Sequence, residues 1–434
     1  MKKIYQNFYI VIFLFCFCLT LNIPDLTENF SDLSKKDILE RAKKFIFSTG
    51  LNDGTSQLSK KNMAYGLAQF HYIQQKFGFD PKALFISTPD ETISRNIFRW
   101  NSGVSYGGRL SWGNGQDRFI FLNTKPNGCG LLVGGLYERP SPSEIIKRIE
   151  DIKNEELYLE DVKLKWDYSV GNHFIDIYQT KNLSDIDFPP FMFVIHGSVS
   201  EFRDDHYGLG LYIDKSKTLK QHATLVETPF GNQYIIQDNL AKEYLDFHNY
   251  AIHFAEKKRE YFGSKIFDEF EIISNKSHQF LADYNNIYLG CHCTDLSKNI
   301  NTQSNLFPIC IRADMPAYIF EGKPNLSYTV IKNLNFLEFA QEFDLIDILL
   351  NANILPHGAG YAFPDIENVE KVIEIGTNRY FLCNLKSKVG AKKIFRNPRE
   401  MQFIYRDRSV ILKTLQLDLG HIVARLDPDF ILKI

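Results

Sequence analysis

Residues 191–198 read Phe-Met-Phe-Val-Ile-His-Gly-Ser, an apolar run that ends at a histidine and a glycine. Such a run of consecutive apolar residues, bounded by turn-forming residues, predicts a short buried strand. Similar runs on both sides of it span residues 119–123, 131–134, 234–237 and 287–289. From about residue 83 onward the chain is therefore predicted to fold mainly as short strands broken by Gly, Asn and Pro.

Helical periodicity interrupts this strand-rich pattern. Residues 33–47 and 59–77 carry apolar side chains at helical spacing, and two long helices are predicted at about 240–262 and 336–350. Residues 228–232, Thr-Pro-Phe-Gly-Asn, are typical of a hairpin turn. Strands and helices do not alternate regularly, so the sequence favours an α+β fold over a doubly wound sheet.

The predicted organisation is a single main domain without internal repeats or a long linker. Residues 86–434 form that domain of mixed sheets and helices, and residues 24–85 form a helical N-terminal extension. Residues 1–23 are a signal-like or anchor segment, in which Lys2 and Lys3 precede an apolar run over residues 8–21.

The apolar run has the length of a signal-peptide core rather than of a full membrane span. The residues after it lack the usual Ala-x-Ala cleavage spacing. Export, an uncleaved anchor, a wrongly assigned start and a buried core element therefore all stay open. Any membrane contact is expected only through residues 8–21.

Composition excludes a disordered chain. Of 434 residues, 44% are hydrophobic and 14% aromatic, and the formal net charge is −2. A nucleic-acid partner would therefore need a local basic surface. The best candidate is residues 386–413, where nine Lys and Arg residues are interleaved with Phe395, Phe403 and Tyr405. The alternative is a solvated edge of the final sheet.

The cysteines favour thiol or metal chemistry over disulfide bonds. Of the seven, Cys16 and Cys18 lie in the N-terminal apolar run, and the other five are widely spread. An odd, scattered set is a poor disulfide framework for a chain of this length. This observation argues against export.

Five segments place a histidine or cysteine beside a glycine, which allows close backbone approach. They are Asn-Gly-Cys-Gly at 127–130, Gly-Asn-His-Phe at 171–174, Ile-His-Gly-Ser at 195–198, Gly-Cys-His-Cys at 290–293 and Pro-His-Gly-Ala-Gly at 356–360. Taken singly, each signal is weak, because a lone His is commonly a hydrogen-bonded turn residue and a lone Cys a small buried hydrophobe. None of the spacings is that of a compact zinc motif.

In their order along the chain and in their local sequence, these segments resemble those of RtcB, the family of GTP- and manganese-dependent tRNA-splicing RNA ligases. The resemblance runs from about residue 85 to the C-terminus. Its last segments are the His-Gly-Ala-Gly sequence at 357–360 and a lysine close to the end, Lys433. An apparent insertion follows Ser198, after which Gly208-Leu209-Gly210 resumes the pattern.

The resemblance implies a site that joins RNA ends. His357 would be the nucleophile that carries a guanylyl group, and GTP the co-substrate. Contacts to the nucleotide would come from Asn172, Ser327, His357, Gly358, Ala359, Gly360 and Lys433. The implied metal ligands are Cys129, His196 and His292 for one ion, with His173 joining Cys129 at a second.

The implied cofactor is one or two Mn²⁺ ions, although thiolate and imidazole ligands make zinc the alternative. RNA 3′-phosphate or 2′,3′-cyclic phosphate ends would be joined to 5′-hydroxyl ends, with tRNA halves or broken RNA as substrates. An archease-like activator is a further expected partner. Since GTP and reduced thiols belong to the cytosol, the chemistry favours a cytoplasmic location.

The sequence also departs from the family pattern. Pro126 stands where the family has a ligand Asp, Tyr361 where it has an Arg, and Cys293 where it has an Asn. In the family an Arg follows the His-x-Gly-Ser segment, but no Arg directly follows Ser198 of the corresponding segment 195–198 here. Arg203 or His206 in the insertion are the candidate substitutes.

Two alternatives follow from these departures and from the N-terminal apolar run. One is a nucleotide- or metal-binding protein, or cyclic-phosphate hydrolase, without full ligation. The other is an exported or membrane-tethered protein that binds RNA or another anionic partner without catalysis.

Overall fold

The computed structural model describes residues 29–30, 32–169, 171–298 and 304–434. Helices and strands are mixed along them without regular alternation, which confirms the α+β class. The predicted segment 1–23 lies outside the described residues. Among those described, no helix has both the length and the apolar character needed to cross a membrane.

Ten α-helices occur in the described residues. They are α1 (Lys35–Lys43), α2 (Gly54–Lys76), α3 (Ile97–Asn101), α4 (Pro142–Asn154), α5 (Lys217–His222), α6 (Asp238–Ile266), α7 (Tyr328–Asn333), α8 (Leu337–Glu342), α9 (Ile346–Leu350) and α10 (Ser409–Gln416).

The strands of the described residues are mostly short. They are β1 (Ile46–Phe47), β2 (Leu84–Ile93), β3 (Ser105–Ser111), β4 (Phe119–Phe121), β5 (Gly130–Leu136), β6 (Tyr158–Leu159), β7 (Val162–Lys163), β8 (Phe174–Asn182), β9 (Phe191–Gly197), β10 (Thr224–Thr228), β11 (Gly231–Gln237), β12 (Glu271–Ser277), β13 (Gln279–Asp283), β14 (Asn286–Leu289), β15 (Cys291–Cys293), β16 (Leu306–Ile309), β17 (Ala317–Gly322), β18 (Ile354–Pro356), β19 (Tyr361–Ala362), β20 (Ile366–Ile375), β21 (Asn378–Leu385), β22 (Lys392–Phe395), β23 (Ile404–Tyr405) and β24 (Gly420–Leu432).

Two sheets form the body of the protein. The larger has the order β12-β5-β9-β8-β24-β17-β16, and the second has the order β1-β2-β3-β14-β13. Smaller sheets are β10-β11-β4 and β20-β21-β22, and the pairs are β15-β18, β19-β23 and β6-β7. Among the described strands, β1 and β2 are the one pair that runs parallel. The other strand pairs of the described residues are antiparallel.

The large sheet is buried on both faces. Along β9, Phe193 and Ile195 belong to one hydrophobic cluster, whereas Met192 and Val194 belong to another. Because successive side chains of a strand point to opposite faces, a continuous apolar run is needed to fill both clusters. Helix α6 covers the first face through residues such as Ala251 and Phe254.

The predicted helical extension contains α1 and α2, joined through the short strand β1. Asp53 caps α2 by accepting a hydrogen bond from the Ser56 backbone N–H at 2.8 Å. Met63 and Phe70 of α2 lie in the same hydrophobic cluster as Phe85 of β2. The helix is thus part of the core of the second sheet, and the boundary drawn at residue 85 stays a prediction.

Several local expectations are confirmed. Strands β5, β9, β11 and β14 cover four of the five predicted runs, and β4 covers residues 119–121 of the fifth, whose last residues begin a 3-10 helix (Leu122–Thr124). Helix α6 covers the predicted long helix, and the turn after Thr228 joins the antiparallel strands β10 and β11.

The prediction of one helix over 336–350 is wrong, because the chain forms α8 and α9 instead. Asp344 takes the left-handed conformation with φ of +57°. The Leu345 N–H then bonds back to the Ala340 carbonyl at 2.7 Å, which ends α8 in the manner of a C-terminal helix cap.

Candidate functional site

A cavity of about 690 Å³ lies where the ends of β5, β8 and β9 meet the loop after β18. Most of the residues that the sequence singled out line it. They are Cys129, Asn172, His173, His196, His357, Gly358, Ala359, Gly360 and Lys433. Ser327 and His292 do not line it.

Three potential metal ligands come together because their strands are neighbours. Cys129 precedes β5, His173 precedes β8, and His196 lies in β9 between those two strands. In the antiparallel register His196 is opposite Leu131 on one side and Phe174 on the other. The ligand atoms of Cys129, His173 and His196 all lie within 4.8 Å of one another.

Backbone carbonyls fix the orientation of both histidines. Nδ1 of His196 lies 2.9 Å from the Asn172 carbonyl, and Nδ1 of His173 lies 3.1 Å from the Asp167 carbonyl. Nε2 of His173 then faces the Cys129 sulfur at 3.6 Å, while Nε2 of His196 is buried and has no hydrogen-bond partner within the described part of the chain. A metal-binding histidine usually donates one ring N–H to an oxygen and binds the metal through its other ring nitrogen.

Electrostatics favour the charged forms of the Cys129–His173 pair. Burial alone would raise the pKa of Cys129, but its contact with His173 outweighs burial and the pKa is lowered. Burial would lower the pKa of His173, yet the partners Asp167 and Cys129 raise it to about 9. Thiolate and imidazole are the forms that bind a transition metal, and binding would release the imidazolium proton.

His357 is held by a buried carboxylate. It follows β18 directly, and its Nδ1 lies 2.8 Å from Oδ2 of the fully buried Asp90. The Gly358 N–H donates to the same oxygen at 3.4 Å. When Asp90 accepts the Nδ1 proton, Nε2 is the nitrogen that carries the free lone pair.

His278 is a site residue that sequence reasoning missed. It lies between β12 and β13, is fully buried, and has no hydrogen-bond partner at either ring nitrogen among the residues that the structure describes. Its ring centroid is 4.4 Å from that of His357 and 5.1 Å from that of His196. Burial lowers its pKa well below the usual range, so the imidazole is neutral and able to bind a cation. It stands between Ser277 and Gln279, so it lacks the neighbouring glycine that marks the other candidate histidines.

His292 and Ser327 lie outside the group. Nε2 of His292 is 2.8 Å from the Pro308 carbonyl, Nδ1 has no partner, and the ring centroid is 5.7 Å from that of His278. Ser327 is exposed and caps α7 by accepting a hydrogen bond from the Val330 N–H at 3.3 Å.

Charged residues complete the cavity. Arg203 of the insertion lines it, whereas His206 does not. Lys433 donates to the carbonyls of Gly171 and His173. Burial raises the pKa of Asp176, another lining residue, to about 7, although Tyr178 and Lys433 act to lower it.

No protein-family model matches this chain, and no curated protein matches it significantly. A functional assignment therefore depends on the residues themselves and on their arrangement around the cavity.

Proposed function

We propose that the chain is a divergent RtcB-like RNA ligase that joins 3′-phosphate or 2′,3′-cyclic phosphate ends to 5′-hydroxyl ends, with His357 as the nucleophile. The observation that carries the proposal is the convergence of Cys129, His173, His196 and His357 on one cavity. These residues are far apart in sequence, and a chance set of turn histidines would be scattered over the surface.

His357 has the features of an activated nucleophile. Asp90 holds its ring by Nδ1, so Nε2 is free to form a bond to the α-phosphorus of GTP as pyrophosphate leaves. A 2′,3′-cyclic phosphate end would first be opened by water to a 3′-phosphate and a free 2′-hydroxyl. An oxygen of the RNA 3′-phosphate would then take the guanylyl group, and the P–N bond would break. The 5′-hydroxyl oxygen would finally attack the activated 3′-phosphorus and displace GMP.

Cys129, His173 and His196 would hold a divalent cation, and His278 is a candidate fourth ligand. The orphaned, buried Nε2 of His196 fits such an ion, because an unpaired buried nitrogen otherwise has a cost in stability. A bound cation would supply charge stabilisation for the phosphate oxygens. The donor set of one thiolate and imidazoles is typical of zinc, and manganese rests on the family resemblance alone.

The remaining lining residues suit a nucleotide and an RNA end. Lys433 and Arg203 supply positive charge inside the cavity, where Arg203 donates from Nη2 to Ser198 Oγ at 3.2 Å. Arg203 could thus take the place of the arginine that the family carries in its third segment. Its guanidinium suits a phosphate, because its planar donors match two oxygens at once.

Incubation with divalent metal and GTP labelled at the α-phosphate tests the proposal. The expected result is a covalent, acid-labile label that His357→Ala abolishes. His222→Ala is a matched control, since His222 is exposed on α5 and does not line the cavity. If the His357→Ala variant is labelled to the same level as the unmodified chain, the proposal is contradicted.

A second candidate keeps the cavity but not the full reaction. Pro126 has no side-chain ligand for a second ion, and Tyr361 removes a phosphate-binding guanidinium. The chain would then bind a nucleotide or metal, or hydrolyse cyclic phosphate ends. A single bound metal and hydrolysed ends without joined RNA would favour this candidate.

A further inference from the structure

Three aromatic side chains form a group beside the cavity that also holds the candidate nucleophile. Tyr361 of β19 and Tyr405 of β23 are opposite each other in the antiparallel register, with ring centroids 5.4 Å apart. Phe403 packs edge-on against Tyr361 at 4.8 Å. The three rings are all partly exposed, and both tyrosines line the cavity.

A guanidinium lies against these rings. Arg95 also lines the cavity, and its guanidinium carbon is 4.1 Å from the Phe403 ring centroid and 5.6 Å from that of Tyr361. Its buried Nε has no hydrogen-bond partner among the described residues. A cation held over aromatic faces can still attract an anionic ligand.

We propose that Tyr361, Phe403, Tyr405 and Arg95 form an aromatic platform that stacks an unpaired nucleobase of the RNA end. This inference rests on the proposed function, because it assumes that the RNA end to be joined enters the cavity. Tyr361 directly follows Gly360 of the His357 loop and is held there by a hydrogen bond from Thr92 Oγ1 to its carbonyl at 2.8 Å. The platform would therefore receive the base next to the reacting phosphate.

The surroundings of the platform fit single-stranded nucleic acid. The Arg399 Nε donates to the Arg95 carbonyl at 2.9 Å, and Lys393 and Arg396 are exposed nearby in the chain. Sequence-tolerant binding of single strands combines such a basic track with aromatic rings on which bases stack. Stacking does not need the hydrogen-bonding edge of the base, so the platform would accept all four bases.

The platform and Lys433, one of the nucleotide contacts that the family resemblance implies, come from different elements. Lys433 follows β24, whereas the aromatic residues come from β19 and β23 and from the segment between β22 and β23. Lys433 and the platform thus belong to separate groups of residues. This separation makes the two binding events testable apart.

The test measures the affinity for a short single-stranded RNA with a 3′-phosphate, compared with the same RNA carrying an abasic terminal nucleotide. We expect the unmodified chain to bind the complete RNA about tenfold more tightly. The double variant Tyr361→Leu with Phe403→Leu should lose that preference. Tyr137→Leu, which removes an exposed ring outside the cavity, should keep it.

Equal binding of the complete and abasic RNAs by the unmodified chain would overturn the proposal, and that arm does not depend on any variant folding. So would a double variant that retains the preference. A double variant with weakened GTP labelling would assign the rings to guanine and also overturn it. Absence of labelling in the unmodified chain would contradict the ligase proposal instead, and the base preference would still be measured separately.

Discussion

Oδ2 of Asp90 lies 2.8 Å from Nδ1 of His357, although 267 positions separate the two residues in the chain. Asp90 lies in β2, one of the strands of the second sheet, and His357 follows β18. The contact therefore ties the loop of the candidate nucleophile to a rigid, buried strand. A carboxylate that holds one imidazole nitrogen selects the tautomer in which the other nitrogen is nucleophilic.

Asp90→Asn should slow labelling by GTP by about 10²- to 10⁴-fold, because the amide cannot hold the reactive tautomer as the carboxylate does. The measurement is the rate at which the α-phosphate label becomes bound to the protein in acid-labile form. A thermal unfolding midpoint close to that of the unmodified chain would show that the fold is intact. Labelling at the unmodified rate would rule out this role for Asp90.

Gly360→Ala should both destabilise the protein and abolish labelling. Gly360 has φ of +66°, and an added Cβ would lie 2.2 Å from the Asp90 carbonyl oxygen. The backbone of β2 and the His357 loop must then separate, at a cost of several kcal/mol beyond the roughly 1–2 kcal/mol of left-handed strain.

Gly390→Ala is the matched control for that substitution. Gly390 has φ of +67°, but its Cβ would meet nothing within 4 Å. Urea unfolding should therefore show only the backbone strain, about 1–2 kcal/mol, and labelling should persist. If both variants lose the same free energy of unfolding, the close approach of Gly360 to β2 does not contribute to stability.

Metal content should separate the ligands from their neighbours. Cys129→Ser and His196→Asn should lower the affinity for a divalent cation by more than about a hundredfold, since loss of an outer-shell partner alone costs about 10- to 100-fold. Atomic emission after dialysis gives the metal retained per chain. His222→Asn should retain the full amount.

The same measurement compares His278 with His292. Among the described residues, neither ring nitrogen of His278 has a hydrogen-bond partner, whereas Nε2 of His292 is held by the Pro308 carbonyl. His278→Asn should therefore lower metal affinity more than His292→Asn. The reverse order would favour the ligand set that the family resemblance implies.

The elements predicted correctly from the sequence are those whose formation depends on the local pattern of apolar residues. The run at 191–195 became β9 because a strand buried on both faces needs apolar residues at every position. The break between α8 and α9 could not be read from periodicity, because it depends on the backbone conformation of Asp344. Asp90 and His278 were missed for a different reason. Their roles depend on side chains brought close only by the tertiary fold, and neither residue is marked by a glycine.

Asp176 should make stability fall as pH rises. Burial raises the pKa of its carboxyl from the ordinary 3.8 to about 7, so the folded protein binds this proton more tightly than the unfolded chain does. Stability from this group is full below the unfolded pKa, decreases between about pH 4 and 7, and is lost above the folded pKa.

Asp176→Asn should remove that dependence. The difference in unfolding free energy between variant and unmodified chain should shift in favour of the variant by a few kcal/mol from about pH 4 to 8. Urea unfolding at a series of pH values measures this difference, in which the other titrating groups largely cancel. A difference that stays constant with pH would show that the Asp176 carboxyl titrates normally.

The basic stretch should determine the salt dependence of RNA binding. Lys393 and Arg396 are exposed on and just after β22, close in sequence to the proposed platform. Each phosphate neutralised on a single strand contributes about −0.7 to the slope of log affinity against log salt. Lys393→Ala with Arg396→Ala should therefore make that slope shallower by about 0.7 for each phosphate that is no longer neutralised, and should weaken binding most at low salt.

The matched control is the double variant Lys147→Ala with Lys153→Ala. It removes the same charge from exposed positions on α4, which do not line the cavity, and should leave the slope unchanged. Equal slopes for the two double variants would mean that the RNA follows another surface, because the net charge of the protein changes equally in both.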